Sequence, residues 1–288
     1  MFFMTISSSV KTIAIAGAGT MGAGIAQVCA AAGFDTLLFD ISESAVNNGL
    51  QIIEKNLSIG VEKKKITTEE KAHTLSKITL ATDIRQLKAD LIIEAIIEKI
   101  EIKQKLFNDL AEVNSNTCIF ATNTSSIPVS DIAVTVSHPE RVCGMHFFNP
   151  AHLMQLVEIV SGEKTSKQVA DIVFQLAIQL GKQPIHTKDY PGFIVNRIGK
   201  LYHTEPLKIL EDKVAEVQTI DKLMEACGFK MGPFKLIDLI GVDANLNVTK
   251  SLYALTGKEP KFKPSYIQQK LVDEGRLGKK SGEGFYKY

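Results

Sequence analysis

An α/β fold, a Rossmann-like, doubly wound, mostly parallel sheet domain followed by a smaller all-helical domain, is what this 288-residue sequence predicts. Three observations carry the prediction. Strand-like apolar runs alternate with helical stretches through roughly the first 185 residues, the signature of parallel strands covered by helices on both faces. A glycine triplet, Gly17-Ala-Gly19-Thr-Met-Gly22, stands between the first strand and the first helix. Beyond Asp189-Tyr190-Pro191-Gly192, alternation gives way to helical periodicity. These observations divide the chain into residues 1–188 and 189–288.

The elements follow in order. Thr12–Ala16 (TIAIA) suits a buried strand, and residues 23–32 form an alanine-rich helix. Residues 36–39 read as a second strand ending in Asp40, and residues 43–64 as a helix. Residues 78–80 and Leu91–Glu94 are short strands, followed by a charged amphipathic helix over 101–113. Residues 118–121, 141–145 and 156–160 are strands, 168–180 a helix and 184–187 a last strand. In the second domain the helices are 193–212, 220–227, 233–248 and 264–274. The glycine-rich tail GRLGKKSGEGFYKY is a loop pinned by Phe285 and Tyr286.

Bulk composition narrows the function classes. A net charge of +1 leaves no electrostatic footprint for nucleic acid or an anionic membrane surface. Cys29, Cys118, Cys143 and Cys227 have no CxxC spacing and read as reduced core residues, neither a disulfide framework nor a metal site. The opening MFFMTISSSVK lacks the charged and apolar regions of a signal peptide, and no apolar stretch reaches spanning length. A soluble, cytoplasmic protein with no membrane or nucleic-acid partner is expected.

The glycine triplet carries the first chemical argument. Gly17 permits a tight turn, Gly19 lets backbone amides approach a pyrophosphate, and Gly22 lets the helix pack on its strand. The helix N-terminus adds the positive end of its dipole. Asp40, about 20 residues on, can accept bonds from both ribose hydroxyls and would repel a 2′-phosphate. Ile41 and Ser42 follow it, with no arginine, so NAD is favoured over NADP.

The second dense region is RVCGMHFFNPAHLMQLVEIV, residues 141–160. His146 ends an apolar strand, and a hairpin-like return through Pro150 would bring Glu158 beside it. A carboxylate on one imidazole nitrogen fixes the tautomer and makes the other nitrogen a proton acceptor. Oxidation of an alcohol by NAD requires such a base. Ser125, in the loop NTSS after a strand, suits a ligand contact or an N-cap equally. Asn149, before Pro150, reads as a site residue or a turn former, and Asn196 as a site residue or ordinary surface.

Together HFFNPA…LVEIV, NTSS, PGFIVNR and GRLGKKSGEGFY resemble the L-3-hydroxyacyl-CoA dehydrogenases, in particular the shorter bacterial 3-hydroxybutyryl-CoA dehydrogenases. The resemblance runs over residues 11–288. It implies a Rossmann-like NAD domain and a helical domain that forms a homodimer. It also implies oxidation of a short-chain (S)-3-hydroxyacyl-CoA to the 3-ketoacyl-CoA, with His146 as base and Glu158 as its partner. By the same resemblance Ser125, Asn149 and Asn196 contact the acyl-CoA substrate, Glu98 and Lys103 line the NAD site, and Lys63 helps hold the CoA phosphates. Lys64 and Lys65 compete for that last role.

Three positions depart from the family pattern. His152 replaces a common proline and loosens the turn after Asn149. Pro206 lies inside a helix, where it removes a hydrogen bond and introduces a kink that bears on the dimer packing and the acyl pocket. Lys213 stands where a glycine is usual. Two other functions compete: a dehydrogenase for a free hydroxy acid or a dicarboxylic acyl-CoA, and a non-catalytic NAD-binding protein.

Overall fold

The computed structural model describes residues 10–288, so most of the opening segment weighed above as a signal lies outside the described residues. By its contacts the chain separates into two compact units on either side of the Asp189–Tyr190 junction.

The first unit is built on one eight-stranded sheet of order β3-β2-β1-β4-β5-β6-β7-β8. Its strands are β1 (Thr12–Ala16), β2 (Asp35–Phe39), β3 (Ile78–Ala81), β4 (Leu91–Glu94), β5 (Ile119–Thr122), β6 (Val142–Phe147), β7 (Leu156–Ser161) and β8 (Gln183–Lys188). All neighbours run parallel except β6 and β7, which are antiparallel. The order reverses between β1 and β4, and ligands in open α/β sheets bind at such a switch point, outside the carboxyl ends of the strands. β4, β5 and β6 are buried throughout and β1 in all but its first residue, as strands covered on both faces must be.

The helices of this unit are α1 (Thr20–Ala31), α2 (Glu43–Glu62), α3 (Thr68–Ser76), α4 (Ile100–Val113), α5 (Val129–Ala133) and α6 (Lys167–Gln179). Ser42 and Ser166 cap α2 and α6 with their hydroxyls. The sequence reading missed α3, which carries few apolar residues, yet its capping box is complete: Thr67 and Glu70 satisfy each other's backbone amides.

The second unit is helical: α7 (Val195–Gly199), α8 (Leu201–Glu211), α9 (Val217–Ala226), α10 (Pro233–Ile240), α11 (Val242–Leu255) and α12 (Tyr266–Asp273). Two expected helices are each divided. The 233–248 segment breaks at Gly241, whose φ of +104° lies in a region side chains avoid. The 193–212 segment divides at Lys200, itself in helical geometry (φ −62°, ψ −32°). Pro206 does not end α8, which runs through it, because a proline in the second turn removes only one backbone donor. Lys213 takes the left-handed conformation (φ +57°) that closes the helix and that glycine would adopt without strain.

The C-terminal tail is held by two buried aspartates. Asp238 accepts from the amides of Phe285 and Tyr286, both at 2.9 Å, and Asp221 from the Tyr286 hydroxyl at 2.8 Å. A side chain at Gly284 would collide with the Asp238 carboxylate, so that glycine is required by close approach.

Cys29, Cys118 and Cys143 are buried, and burial pushes each thiol up to about 12, while Cys227 is exposed rather than part of the core. Among the described residues no helix is long and apolar enough to cross a membrane, and no cluster of three or more His, Cys, Asp or Glu is arranged for a metal.

Candidate active site

The ends of β1, β4, β5 and β6 place four loops along one edge of the sheet of the first unit. The turn after β1 is the glycine loop. Gly17 has φ +112°, and a Cβ there would stand 2.5 Å from the Ala95 carbonyl oxygen, so both conformation and space demand glycine. Gly22 is equally constrained, since a Cβ would run into the Gly17 carbonyl. Gly19 differs: its φ is an ordinary −67° and nothing lies within 4 Å of where its Cβ would be. It precedes α1 as a cap residue without a side chain, and no side chain caps that helix or places an acid in its first turn. Exposed amides at a positive helix end, behind an open position, fit the pyrophosphate of a dinucleotide. Asp40 braces this loop, accepting from Ala18 N at 3.0 Å and Ser42 N at 3.3 Å.

The loop after β4 carries a buried charge cluster. Lys103, on α4 and 1% exposed, sends its ammonium to Glu94 at 2.6 Å and to Glu98 at 3.0 Å. Glu94 also accepts from Ile96 N at 2.8 Å and the Thr122 hydroxyl at 2.7 Å, so its burial is compensated. Glu98 reaches across to the NTSS loop after β5. It accepts from Thr124 Oγ1 at 2.5 Å, Ser125 N at 3.1 Å, Ser126 N at 3.3 Å and Ser126 Oγ at 3.2 Å. Burial pushes the Glu98 carboxyl up, but the Lys103 ammonium and these donors outweigh it and hold it below the usual range. Lys103 therefore acts through Glu98: its buried charge fixes the carboxylate that shapes the loop bearing Ser125. Glu94, Thr122 and Thr124 were not singled out from sequence. A glutamate ending the apolar strand LIIE was the available signal.

His146 and Glu158 face each other across the antiparallel β6–β7 pairing of the sheet, where His146 is the register partner of Glu158. The imidazole Nδ1 lies 2.7 Å from Glu158 Oε2, with His146 5% exposed and Glu158 fully buried. A carboxylate accepts, so Nδ1 carries the proton and the basic lone pair is on Nε2. The Phe148 ring stacks obliquely on the imidazole, with centroids 4.5 Å apart. Asn123, also missed from sequence, ties the strand ends together by accepting from Phe147 N at 2.8 Å. Asn149 is exposed beyond β6, and Ser125 is half-buried in the neighbouring loop. Asn196 is half-buried on α7 of the second unit, and its carbonyl accepts from Lys200 N.

Lys63 closes α2 and borders a groove of about 1080 Å³ in the first unit. Lys65, His73, Asn56, His152 and Lys182 line the same groove. Lys182 donates to the carbonyls of Ala151 (2.6 Å) and Met154 (2.9 Å), which braces the turn that His152 occupies in place of a proline. Burial, and then the nearby Lys182, hold the His152 imidazole below its ordinary value.

Comparison with known proteins identifies the family and the fold. Residues 12–190 match the family described as "3-hydroxyacyl-CoA dehydrogenase, NAD binding domain", and residues 192–288 match "3-hydroxyacyl-CoA dehydrogenase, C-terminal domain". The chain is 46% identical over 280 residues to the 3-hydroxyadipyl-CoA dehydrogenase of Escherichia coli K12, covering 96% of this chain but 59% of that protein's length. It is 41% identical to a probable 3-hydroxybutyryl-CoA dehydrogenase of Deinococcus radiodurans, covering 95% of this chain and 99% of the relative. The crystal structure of the (S)-3-hydroxybutyryl-CoA dehydrogenase of Ralstonia eutropha superposes with a TM-score of 0.92 at 39% identity, covering 97% of this chain and 99% of that one.

Proposed function

This chain belongs to the 3-hydroxyacyl-CoA dehydrogenase family, and from that premise we propose that it interconverts a (S)-3-hydroxyacyl-CoA and the 3-ketoacyl-CoA. The observation that carries the reading is the buried His146–Glu158 pair, whose 2.7 Å contact across β6 and β7 holds the imidazole by its Nδ1. The hydride released from C3 would need an acceptor, which is the chemistry that bound NAD would supply. Gly17, Gly19, Gly22 and Asp40 would hold it, with Glu98 and Lys103 shaping the neighbouring loop. His146 Nε2 removes the hydroxyl proton, and Glu158 holds the ring in position and compensates the charge that develops on it. A positioned base contributes about a hundred- to ten-thousandfold in rate. Ser125, Asn149 and Asn196 hold the hydroxyl and thioester oxygens so that the proton and C3 are aligned. Lys63, on the groove that it borders, takes the CoA phosphates.

Exposed apolar side chains at helical spacing on the second unit, Ile194, Ile198 and Leu201, support assembly as a homodimer through that unit. A cytoplasmic location is part of the same reading. A second reading of the substrate, a dicarboxylic acyl-CoA, is favoured by the likeness to the 3-hydroxyadipyl-CoA dehydrogenase of Escherichia coli.

The test is NADH consumption by the purified protein with acetoacetyl-CoA against free acetoacetate. Turnover of the thioester and not the free acid is expected. Turnover of the free acid alone would replace the substrate class, and no oxidation across CoA esters of several lengths would leave a non-catalytic NAD-binding protein.

A further inference from the structure

The second unit buries a positive charge for which the function so far has no use. Lys200 is 4% exposed, and its ammonium donates to one neutral acceptor, the Asn245 carbonyl, at 2.8 Å. Among the described residues no carboxylate forms an ion pair with it. Burial holds its ammonium down to about 7. A buried lysine of this kind is rare unless an anion pairs with it.

The residue one turn on supplies a second donor. Gln268 Nε2 donates to Asn245 Oδ1 at 3.1 Å, which orients the asparagine so that its Nδ2 faces His203 Nδ1 at 2.8 Å. An amide nitrogen can only donate, so His203 Nδ1 accepts and the ring proton sits on Nε2. Burial, then Lys200, hold His203 down to about 3, so it is a neutral donor near pH 7. That Nε2 is buried and has no hydrogen-bond partner, although His203 is only 6% exposed. An ammonium with donor capacity and an orphaned N–H, both tied to Asn245, describe a place for an anion's oxygens.

Position relates this place to the substrate. The Lys200 amide donates to the Asn196 carbonyl at 3.0 Å, so Lys200 lies one helical turn, about 5.4 Å, beyond the asparagine assigned above to the thioester and hydroxyl oxygens. We propose that Lys200 and His203 recognise a second carboxylate at the far end of the acyl chain, which makes dicarboxylic 3-hydroxyacyl-CoA thioesters the substrate class. The inference rests on the dehydrogenase reading and extends the second substrate option named there. The arriving carboxylate pairs the ammonium and satisfies the imidazole donor, and an alkyl terminus of equal length does neither.

The experiment compares kcat/KM for 3-oxoadipyl-CoA and 3-oxohexanoyl-CoA, which have equal carbon number and differ in the terminal carboxylate. Wild-type protein should prefer the dicarboxylic thioester by at least about tenfold, the value of one hydrogen-bonded charge pair. Lys200→Met should bring the ratio close to one, and His203→Phe should lower it by a smaller factor. A wild-type ratio near one overturns the proposal, as does an unchanged ratio in Lys200→Met. Turnover of neither thioester by wild-type protein would instead sink the dehydrogenase reading on which it rests.

Discussion

The pairing of His146 with Glu158 can be tested in isolation, because one substitution removes the charge and keeps the shape. In Glu158→Gln the carboxylate that accepts from Nδ1 at 2.7 Å becomes a neutral amide in a fully buried position. Hydrogen bonds to charged groups contribute about 1.5–3 kcal/mol. The bond matters most when the ring is charged, in the transition state, so the loss belongs in kcat and amounts to roughly ten- to a hundredfold. The upper end is expected, since the amide can also turn its NH₂ toward the ring and favour the tautomer whose Nε2 already carries the proton. His146→Gln should cost at least about a hundredfold. Because the two act as a unit, the double variant should lose no more than His146→Gln alone. The assay is steady-state NADH oxidation with a 3-ketoacyl-CoA, alongside NADH binding, which should stay at the wild-type value in all three variants. Losses that multiply in the double variant, or near-normal turnover in either single one, would refute the assignment.

The two glycines of the loop after β1 should separate folding from cofactor binding. Gly19→Ala, with an ordinary φ and nothing within 4 Å of the new methyl, should keep its melting temperature while NAD affinity falls, because that methyl enters the space assigned to the pyrophosphate. Gly17→Ala, at φ +112° and against the Ala95 carbonyl, should lower the melting temperature itself, and equal effects of both substitutions would refute the distinction. The Lys200 charge makes a pH prediction. Its folded pKa of about 7 lies below the ordinary 10.5, so between those values the unfolded chain binds the extra proton and stability rises with pH. At about pH 7 and just below it the burial cost is present, and between pH 7 and 10 His203, held down to about 3, stays neutral and adds no slope. Lys200→Met should therefore melt above wild type at pH 7, with the gap closing by pH 10. A gap independent of pH in thermal melts would show that Lys200 titrates normally.

Where sequence reading reached the structure, the reason is local. β1, the glycine loop and α1 follow from a buried apolar run, a required positive φ and a helix within about 20 residues, and no distant contact is needed to see them. The approach of Glu158 to His146 was legible because two short strands joined through a proline leave few registers, and the alternation of apolar residues selects among them. The helices were legible in type but not in number. The periodicity of residues 193–212 and 233–248 continues across Lys200 and Gly241, so a joint of one residue leaves no mark on the pattern. At Gly241 the glycine itself is a mark, but a weak one, because an isolated glycine inside a helical run is tolerated.

What sequence could not supply was the set of partners that decides what a charged side chain is for. Lys103 sits on an amphipathic helix among Glu101, Lys105 and Asp109, where charges ordinarily face water. Only the strand-to-helix turn, which brings Glu94 and Glu98 onto its ammonium, makes it a buried brace for the loop carrying Ser125. Lys200 is the sharper case. In VNRIGKLYH it reads as a solvated lysine on a helix, and it becomes a buried cation because α11 brings Asn245 to its ammonium and Asn245 in turn joins α8 and α12 through His203 and Gln268. Burial of a charge without a counter-charge is costly in any fold that has a hydrophobic alternative, and methionine or leucine would fill the same volume. That a lysine is kept there, beside an imidazole whose proton has no acceptor, is the physical ground for proposing that the substrate brings a carboxylate to it.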